Sequence, residues 1–328
     1  MIITMKNGAT EDEIRKVIGQ AKAMGLGADV SAGAEKTIIG IVGSTAGLSE
    51  DDFKNGGVEN VARVSTKYKL ASRDFRKEDT VVEIRQAKAG GGNKLMIAGP
   101  CAVESLEQIM DAAAIVKDAG CDVLRGGAFK PRESPHDWQG LGEKGLELLA
   151  LAGERHSLPI VTEIISESQI PLFEKYNVDI YQIGMVNAVN AHLVREVAKT
   201  KKPMLLKRAP WADVGRFICI AEYALVDGNY NVMPCVRGTI PVATKLRYQP
   251  DVTEIPELKR RTHLPIICDP SHMCGDAKLV PSICRMAMEL GADGLEIEMH
   301  PNPKNALTDR NQQLAPAELY KIMKEIRG

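Results

Sequence analysis

From Asn93 onward the chain alternates short apolar runs with longer stretches in which apolar residues recur every three or four positions. The runs Leu95 to Ala98, Asp122 to Leu124, Pro159 to Thr162, Ile180 to Ile183, Met204 to Leu206, Val232 to Cys235, Ile266 to Cys268 and Gly294 to Ile297 predict buried strands. Helical periodicity falls between them, over Leu106 to Ala119, Gly142 to His156, Glu167 to Tyr176, Leu193 to Lys199, Gly215 to Leu225, Val280 to Leu290 and Pro316 to Ile326. Eight such units in about 235 residues match a (β/α)8 TIM barrel, which needs about 250. An open doubly wound sheet is the competing architecture. It usually carries a Gly-rich dinucleotide turn after its first strand, and Gly99-Pro100-Cys101 lacks that pattern.

Residues 1–70 follow another rhythm. A strand over Met1 to Lys6 leads to Thr10, which with Glu13 fits a capping box. Ile14, Val17, Ile18 and Ala21 form one face of the following helix, and Gly25-Leu26-Gly27 stops it. Strands are expected over Ala28 to Ala32, Thr37 to Val42 and Arg63 to Ser65, with a short helix near Val58 to Ala62. The order βαββαβ is that of a small ferredoxin-like α+β domain. It holds no catalytic constellation, so its expected role is regulation or assembly. Residues 71–92 are expected to join the two parts, with strand-like Thr80 to Ile84 and a flexible end at Gly90-Gly91-Gly92. The barrel then spans 93–328.

The totals narrow the function. A hydrophobic content of 44% can fill a sizeable core, and a net charge of -1 argues against nucleic acid or a membrane surface as partner. No apolar run approaches the roughly 20 residues of a spanning helix. The amino terminus reads as a strand rather than a signal peptide. Seven cysteines without a secreted framework suit reduced thiols, and a cytoplasmic protein is expected.

In a barrel the active site lies where strands end and βα loops begin. Cys101 follows strand one there, and Arg125, Lys130 and Arg132 follow strand two in a loop stiffened by Pro131 and Pro135. Glu163 ends strand three, Lys207-Arg208 strand five, Arg237-Gly238 strand six, Asp269-Pro270-Ser271-His272 strand seven and Glu298-Met299-His300 strand eight. Asp309 lies in the loop beyond. Cys101, His272, Glu298 and Asp309 offer a thiolate, an imidazole and two carboxylates, a set that suits a divalent Mn, Fe, Co or Zn ion better than Mg or Ca. Arg125, Lys130, Lys207 and Arg237 would grip a phosphorylated carboxylic acid beside it. Taken singly, Cys101 is more often a small buried hydrophobe, and the cations are as readily rim charges paired with Glu163 and Asp269. Lys207 also has the chemistry for a Schiff base, which would make a metal-independent aldolase.

Ile97-Ala98-Gly99-Pro100-Cys101-Ala102-Val103-Glu104-Ser105, Leu124 to Gly140, Leu205 to Arg208, Asp269 to His272 and Glu298 to Pro301 resemble 3-deoxy-D-arabino-heptulosonate 7-phosphate (DAHP) synthases. The resemblance is to the microbial class with an amino-terminal ferredoxin-like domain and runs over almost the whole chain. It implies an aldol-type condensation of phosphoenolpyruvate with erythrose 4-phosphate, at the entry to aromatic (shikimate) biosynthesis, in a homo-oligomer of two or four chains. It implies Cys101, His272, Glu298 and Asp309 as metal ligands. Arg125, Lys130, Lys207 and Arg237 become the phosphoenolpyruvate cations, with Lys130 delivering a proton. Arg132 and Ser134 take part of the aldose-phosphate site. The resemblance further implies that the amino-terminal unit can sense an aromatic amino acid.

The chain departs from that pattern at Val186, where the family carries an arginine on the donor phosphate, and at Glu133, in place of a hydroxyl near the aldose phosphate. Val236 and Ala209 are lesser departures. Two explanations compete: an ordinary synthase with compensation from Lys245, Arg247 or Arg208, or a paralogue with a different donor, such as pyruvate, or a different acceptor aldehyde. A non-catalytic regulatory barrel is the third. Cys101 and Cys274 near the same ion leave open a disulfide that would remove a ligand.

Overall fold

A computed structural model describes residues 1–32, 36–45, 47–63, 66–132, 134–242 and 245–328. The chain divides into two compact units, residues 1–79 with 260–263 and residues 80–259 with 264–328.

In the first unit, β1 (Ile2–Met5), α1 (Glu11–Ala23), β2 (Gly27–Ala32), β3 (Thr37–Val42) and β4 (Val58–Ala62) follow one another. The capping box of α1 is present: the Glu13 amide donates to Thr10 Oγ1 at 3.3 Å, and the Thr10 amide to Glu13 Oε2 at 2.8 Å. The strands form an antiparallel sheet in the order β2-β3-β1-β4. Val17 and Ala21 of α1 pack on Ile3, Met5, Ile39 and Ile41.

The helix expected near Val58 to Ala62 is a strand. Val58 and Val61 are both buried, a spacing of three that imitates a helical face. A register shift opposite Thr4 and Met5 explains it: Thr4 faces Asn60 while Met5 faces Val58, so Glu59 is an extra residue. Such a bulge turns two positions of odd spacing onto one side. The helical turn lies earlier, as a 3-10 helix at Glu50–Phe53. The strand expected over Arg63 to Ser65 falls on Val64 and Ser65, outside the described residues.

In the second unit, residues expected only to join the domains form a hairpin of β5 (Val82–Ile84) and β6 (Ala87–Ala89). Gly90, Gly91 and Gly92 all have positive φ and build a turn closed by reciprocal Gly90–Asn93 backbone bonds. A Cβ on Gly90 would lie 2.2 Å from the Thr80 carbonyl oxygen, so only glycine fits.

Eight parallel strands follow: β7 (Leu95–Gly99), β8 (Val123–Arg125), β9 (Ile160–Ile164), β10 (Ile180–Ile183), β11 (Met204–Lys207), β12 (Val232–Val236), β13 (Ile267–Cys268) and β14 (Gly294–Glu298). They close into a barrel, β14 pairing with β7. The expected helices appear as α2 (Leu106–Asp118), α3 (Glu143–Arg155), α4 (Ile170–Lys175), α5 (Ala191–Lys199), α6 (Val214–Val226), α9 (Val280–Glu289) and α10 (Pro316–Arg327). Two more, α7 (Glu254–Arg261) and α8 (Pro270–Cys274), were not legible in the periodicity. Val82, Ile84, Ala87 and Ala89 of the hairpin share a core with Leu95, Val123, Ile180, Leu205 and Met233. Leu95 and Ile180 begin their strands, so the hairpin plugs the barrel at the end opposite the βα loops. Among the described residues no helix is long and apolar enough to cross a membrane.

Candidate active site

Gly99 ends β7 at φ 145°, and a Cβ there would lie 2.2 Å from the Arg125 carbonyl oxygen. That close approach of β7 and β8 sets Cys101 beside the loop after β8. Cys101 Sγ is 3.0 Å from Lys130 Nζ and 3.4 Å from Asp309 Oδ2. Asp309 sits in the loop after β14 at φ 46°, a left-handed conformation that an Asp tolerates better than most side chains. Ligand atoms of Cys101, Glu298 and Asp309 all lie within 4.8 Å of one another.

His272 reaches this cluster through α8. Asp269 caps that helix, its Oδ1 accepting from the His272 amide at 3.0 Å. Its Oδ2 stands 2.7 Å from His272 Nδ1, which aims Nε2 at Glu298 Oε1 (3.5 Å) and Asp309 Oδ2 (3.8 Å). A carboxylate on the far imidazole nitrogen is the usual way a metal-binding histidine is oriented. Gln312 Nε2 donates to Glu298 Oε2 at 2.6 Å and stands 3.3 Å from Asp309 Oδ2, and Arg247 Nη1 reaches Asp309 Oδ1 at 3.2 Å. Glu298 Oε1 is fully buried and faces the Arg125 guanidinium and His272 Nε2. One sulfur and two carboxylates gathered within 4.8 Å, with the His272 imidazole beside the two carboxylates, are a donor set that fits a borderline divalent ion.

Electrostatics point the same way. Burial, then Glu298, pushes the Cys101 thiol up to about 12, so its thiolate needs a cation beside it. Burial works against the Asp309 carboxylate, but His272 and Arg247 more than offset it and hold the group at about 2. Burial also disfavours charge on Lys130, and Cys101 and Glu298 reverse that, leaving its pKa raised. Burial lifts that of Glu163.

The expected cations divide into two kinds. Arg125 is buried, with Nη2 3.0 Å from Glu298 Oε1 and Nη1 3.4 Å from Glu296 Oε1. Lys207 is enclosed between Asp269 and Glu296, which hold its amine charged despite burial. A Schiff base needs a neutral amine, so this pairing disfavours that chemistry. Arg237 is only 4% exposed and pairs with no carboxylate among the described residues. Its guanidinium stacks 4.4 Å over the Tyr248 ring and touches Met185 Sδ at 2.9 Å. Arg208, suggested above as compensation, is bound instead by Glu254 and the Ala212 carbonyl. Arg247 is engaged by Asp309 and Gln312.

Arg132 and Ser134 stay within their own loop, Arg132 Nε donating to the Trp138 carbonyl at 3.2 Å and Ser134 Oγ accepting from the His136 amide. Glu133 lies outside the described residues. Val186 is 60% exposed at the mouth. Cys101 and Cys274 are both free thiols. Glu163, Arg125, Lys130 and Gln182 line a small cavity beside Cys101. Sequence reasoning missed Glu296, Gln312 and Met185. Glu296 stands two positions before Glu298 in a strand, and that alternation was the available signal for a second inward carboxylate.

Fold and site together define a (β/α)8-barrel enzyme with a charge-rich mouth over a candidate metal centre. Residues 68–327 match the model of the DAHP synthetase I family, and residues 1–66 match that of the DAHP synthase ferredoxin-like domain. The phospho-2-dehydro-3-deoxyheptonate aldolase of Thermotoga maritima is 42% identical over 322 residues, 98% of this chain and 95% of that one. The crystal structure of that organism's DAHP synthase superposes with a TM-score of 0.79 at 40% identity, covering 99% and 96% of the two chains. A 2-dehydro-3-deoxyphosphooctonate aldolase of Francisella tularensis is 30% identical over 254 residues, 70% of this chain and 88% of that one. This chain belongs to the DAHP synthetase I family.

Proposed function

We propose that this chain condenses phosphoenolpyruvate, erythrose 4-phosphate and water, giving DAHP and inorganic phosphate. Carbon 3 of the donor bonds to the aldehyde carbon, water adds at carbon 2, and phosphate leaves. The observation that carries it is the gathering of Cys101, Glu298 and Asp309 within 4.8 Å of one another, beside Lys130, in a chain of this family.

Cys101, His272, Glu298 and Asp309 would hold a divalent ion, which when bound supplies Lewis-acid polarisation of the aldehyde oxygen. The chain's own groups do the rest. Arg125, Lys207 and Arg237 bind the anionic donor, Arg237 offering a buried guanidinium with no carboxylate partner among the described residues. Lys130 carries a proton at Nζ, the atom 3.0 Å from Cys101 Sγ, and can deliver it to the aldehyde oxygen as the new carbon–carbon bond forms. Glu163, held towards its neutral form by burial, lies in the same cavity and can take part in proton movement at the donor. The aldose phosphate falls to Arg132 and Ser134 at the rim.

The assignment of residues 1–70 to a first domain and of residues 93–328 to the catalytic barrel belongs to the same proposal, with regulation or assembly as the first domain's role. A homo-oligomer acting in the cytoplasm completes it. The test is phosphate release from phosphoenolpyruvate, with erythrose 4-phosphate and with other aldehydes, before and after chelation. Phosphate released only with the erythrose ester, lost on chelation and restored by a divalent ion, is the expected result. Full turnover in the chelated protein, or turnover of pyruvate in place of phosphoenolpyruvate, overturns it.

A further inference from the structure

We propose that Glu296 is a resident counter-ion of the donor pocket and sets how tightly the anionic donor binds. The inference rests on the donor assignment made above.

In β14, Glu296 and Glu298 point to the same face, since side chains alternate along a strand. Glu298 joins the metal-ligand cluster, while Glu296 lies fully buried beneath the donor cations. Its Oε2 accepts from Lys207 Nζ, and its Oε1 is 3.4 Å from Arg125 Nη1. The Lys207 ammonium also touches Asp269, but Asp269 is committed to His272 through both oxygens. Arg125 in turn holds Glu298 through Nη2. Glu296 has no comparable duty. Among the described residues its hydrogen-bond and ion-pair partners besides the two cations come down to Cys235 Sγ, 3.8 Å away.

The pairing is incomplete. Arg125 Nε and Nη1, and Glu296 Oε1, are buried without a hydrogen bond. Buried charge is normally closed by full hydrogen bonding, and an unfinished arrangement leaves room for another acceptor. Arg125 also lines the cavity beside Cys101 and Lys130, the route by which a donor anion would arrive. An entering carboxylate or phosphate therefore competes with Glu296 for Arg125 and Lys207 and is repelled by it. Glu296 makes this chain's pocket discriminate against the most highly charged donors, and its removal tightens them.

Removal need not strip either cation, because Lys207 keeps Asp269 and Arg125 keeps Glu298. The experiment compares the full-length protein with Glu296→Gln and Glu296→Met, the second an unbranched apolar residue of similar length. Each is supplied with manganese, checked for folding by thermal denaturation, and titrated calorimetrically with phosphoenolpyruvate. KM for erythrose 4-phosphate is measured alongside. The expected result is a donor Kd about tenfold lower in both variants, with the acceptor KM moved less than twofold. An unchanged or weaker donor Kd in the folded variants overturns the inference alone, and so does an equal shift for both substrates. Absence of phosphoenolpyruvate binding to all three proteins overturns it together with the donor assignment.

Discussion

Asp269 joins two sets of interactions that the linear sequence keeps apart. It caps α8, fixes the His272 ring through Nδ1, and shares Lys207 with Glu296. A carboxylate behind a metal-binding imidazole raises ligand basicity and holds its direction, and its loss typically weakens metal affinity 10–100-fold. Asp269→Asn is therefore expected to lower affinity for manganese by roughly 10–100-fold. Competition against a chromophoric chelator measures it, and an unchanged affinity would remove His272 from the proposed ligand set. Cys101 makes the complementary point. A lone cysteine is a poor metal signal in sequence, and burial here disfavours its thiolate. Only the neighbouring Lys130 and a bound cation would make it a ligand.

Among the elements, the loop after β10 shows how a small residue can be decisive. A Cβ on Gly184 would fall 1.7 Å from Glu163 Oε1, although the φ of -75° suits any residue. A side chain there would compete for space with the Glu163 carboxylate without straining the backbone, so Glu163 would have to move. Gly184→Ala should displace Glu163 and cost at least tenfold in kcat/KM, about 1.4 kcal/mol in the transition state. In a Glu163→Ala background the same change should cost almost nothing, and steady-state kinetics of the double-mutant cycle reads the difference. Additive losses would mean that Gly184 acts through something other than Glu163. The β5–β6 hairpin is a second case. Ile84 is fully buried in the barrel plug, so Ile84→Ala should lower unfolding free energy by about 3 kcal/mol in urea titration while leaving KM for either substrate unchanged.

At the scale of the whole molecule, two buried groups give stability opposite dependences on pH. Burial lifts Glu254 to about 7 despite the opposing charge of Arg208, so the folded state holds its proton more tightly than the unfolded chain. Its contribution is complete below pH 4.5 and fades as pH rises towards 7. Burial lowers His263 to about 4, with its Nε2 2.6 Å from the Leu70 carbonyl oxygen. Its contribution is complete above pH 6.5 and is lost as pH falls towards 4. Each amounts to about 3 kcal/mol over its window, so the two nearly cancel. Glu254→Gln should make the protein lose stability on acidification from pH 7 to pH 4.5, whereas His263→Gln should make it gain. Denaturant titrations across that range check both signs, and parallel curves for the two variants would contradict the assignment.

Much of this was legible beforehand because it is written in local periodicity. Buried parallel strands read as short apolar runs, and every barrel strand lies where its run predicted, since burial on both faces leaves no other composition. The capping box of α1 is likewise local chemistry. The motifs around Cys101, Lys130, His272 and Glu298 named the family, because each is a contiguous stretch. What the sequence did not contain were relations between distant positions. The bulge at Glu59 made a strand resemble a helix, and only pairing with β1 exposes it. The hairpin looked like a linker because its apolar residues match nothing nearby and find their partners in the barrel strands. Glu296 passed unnoticed because a carboxylate acquires meaning only from the cations that closure of the barrel brings to it. Local sequence thus determined the elements and the residue types at the mouth. Which charges meet which was decided by the closed ring of strands, since electrostatic pairing depends on distance through space.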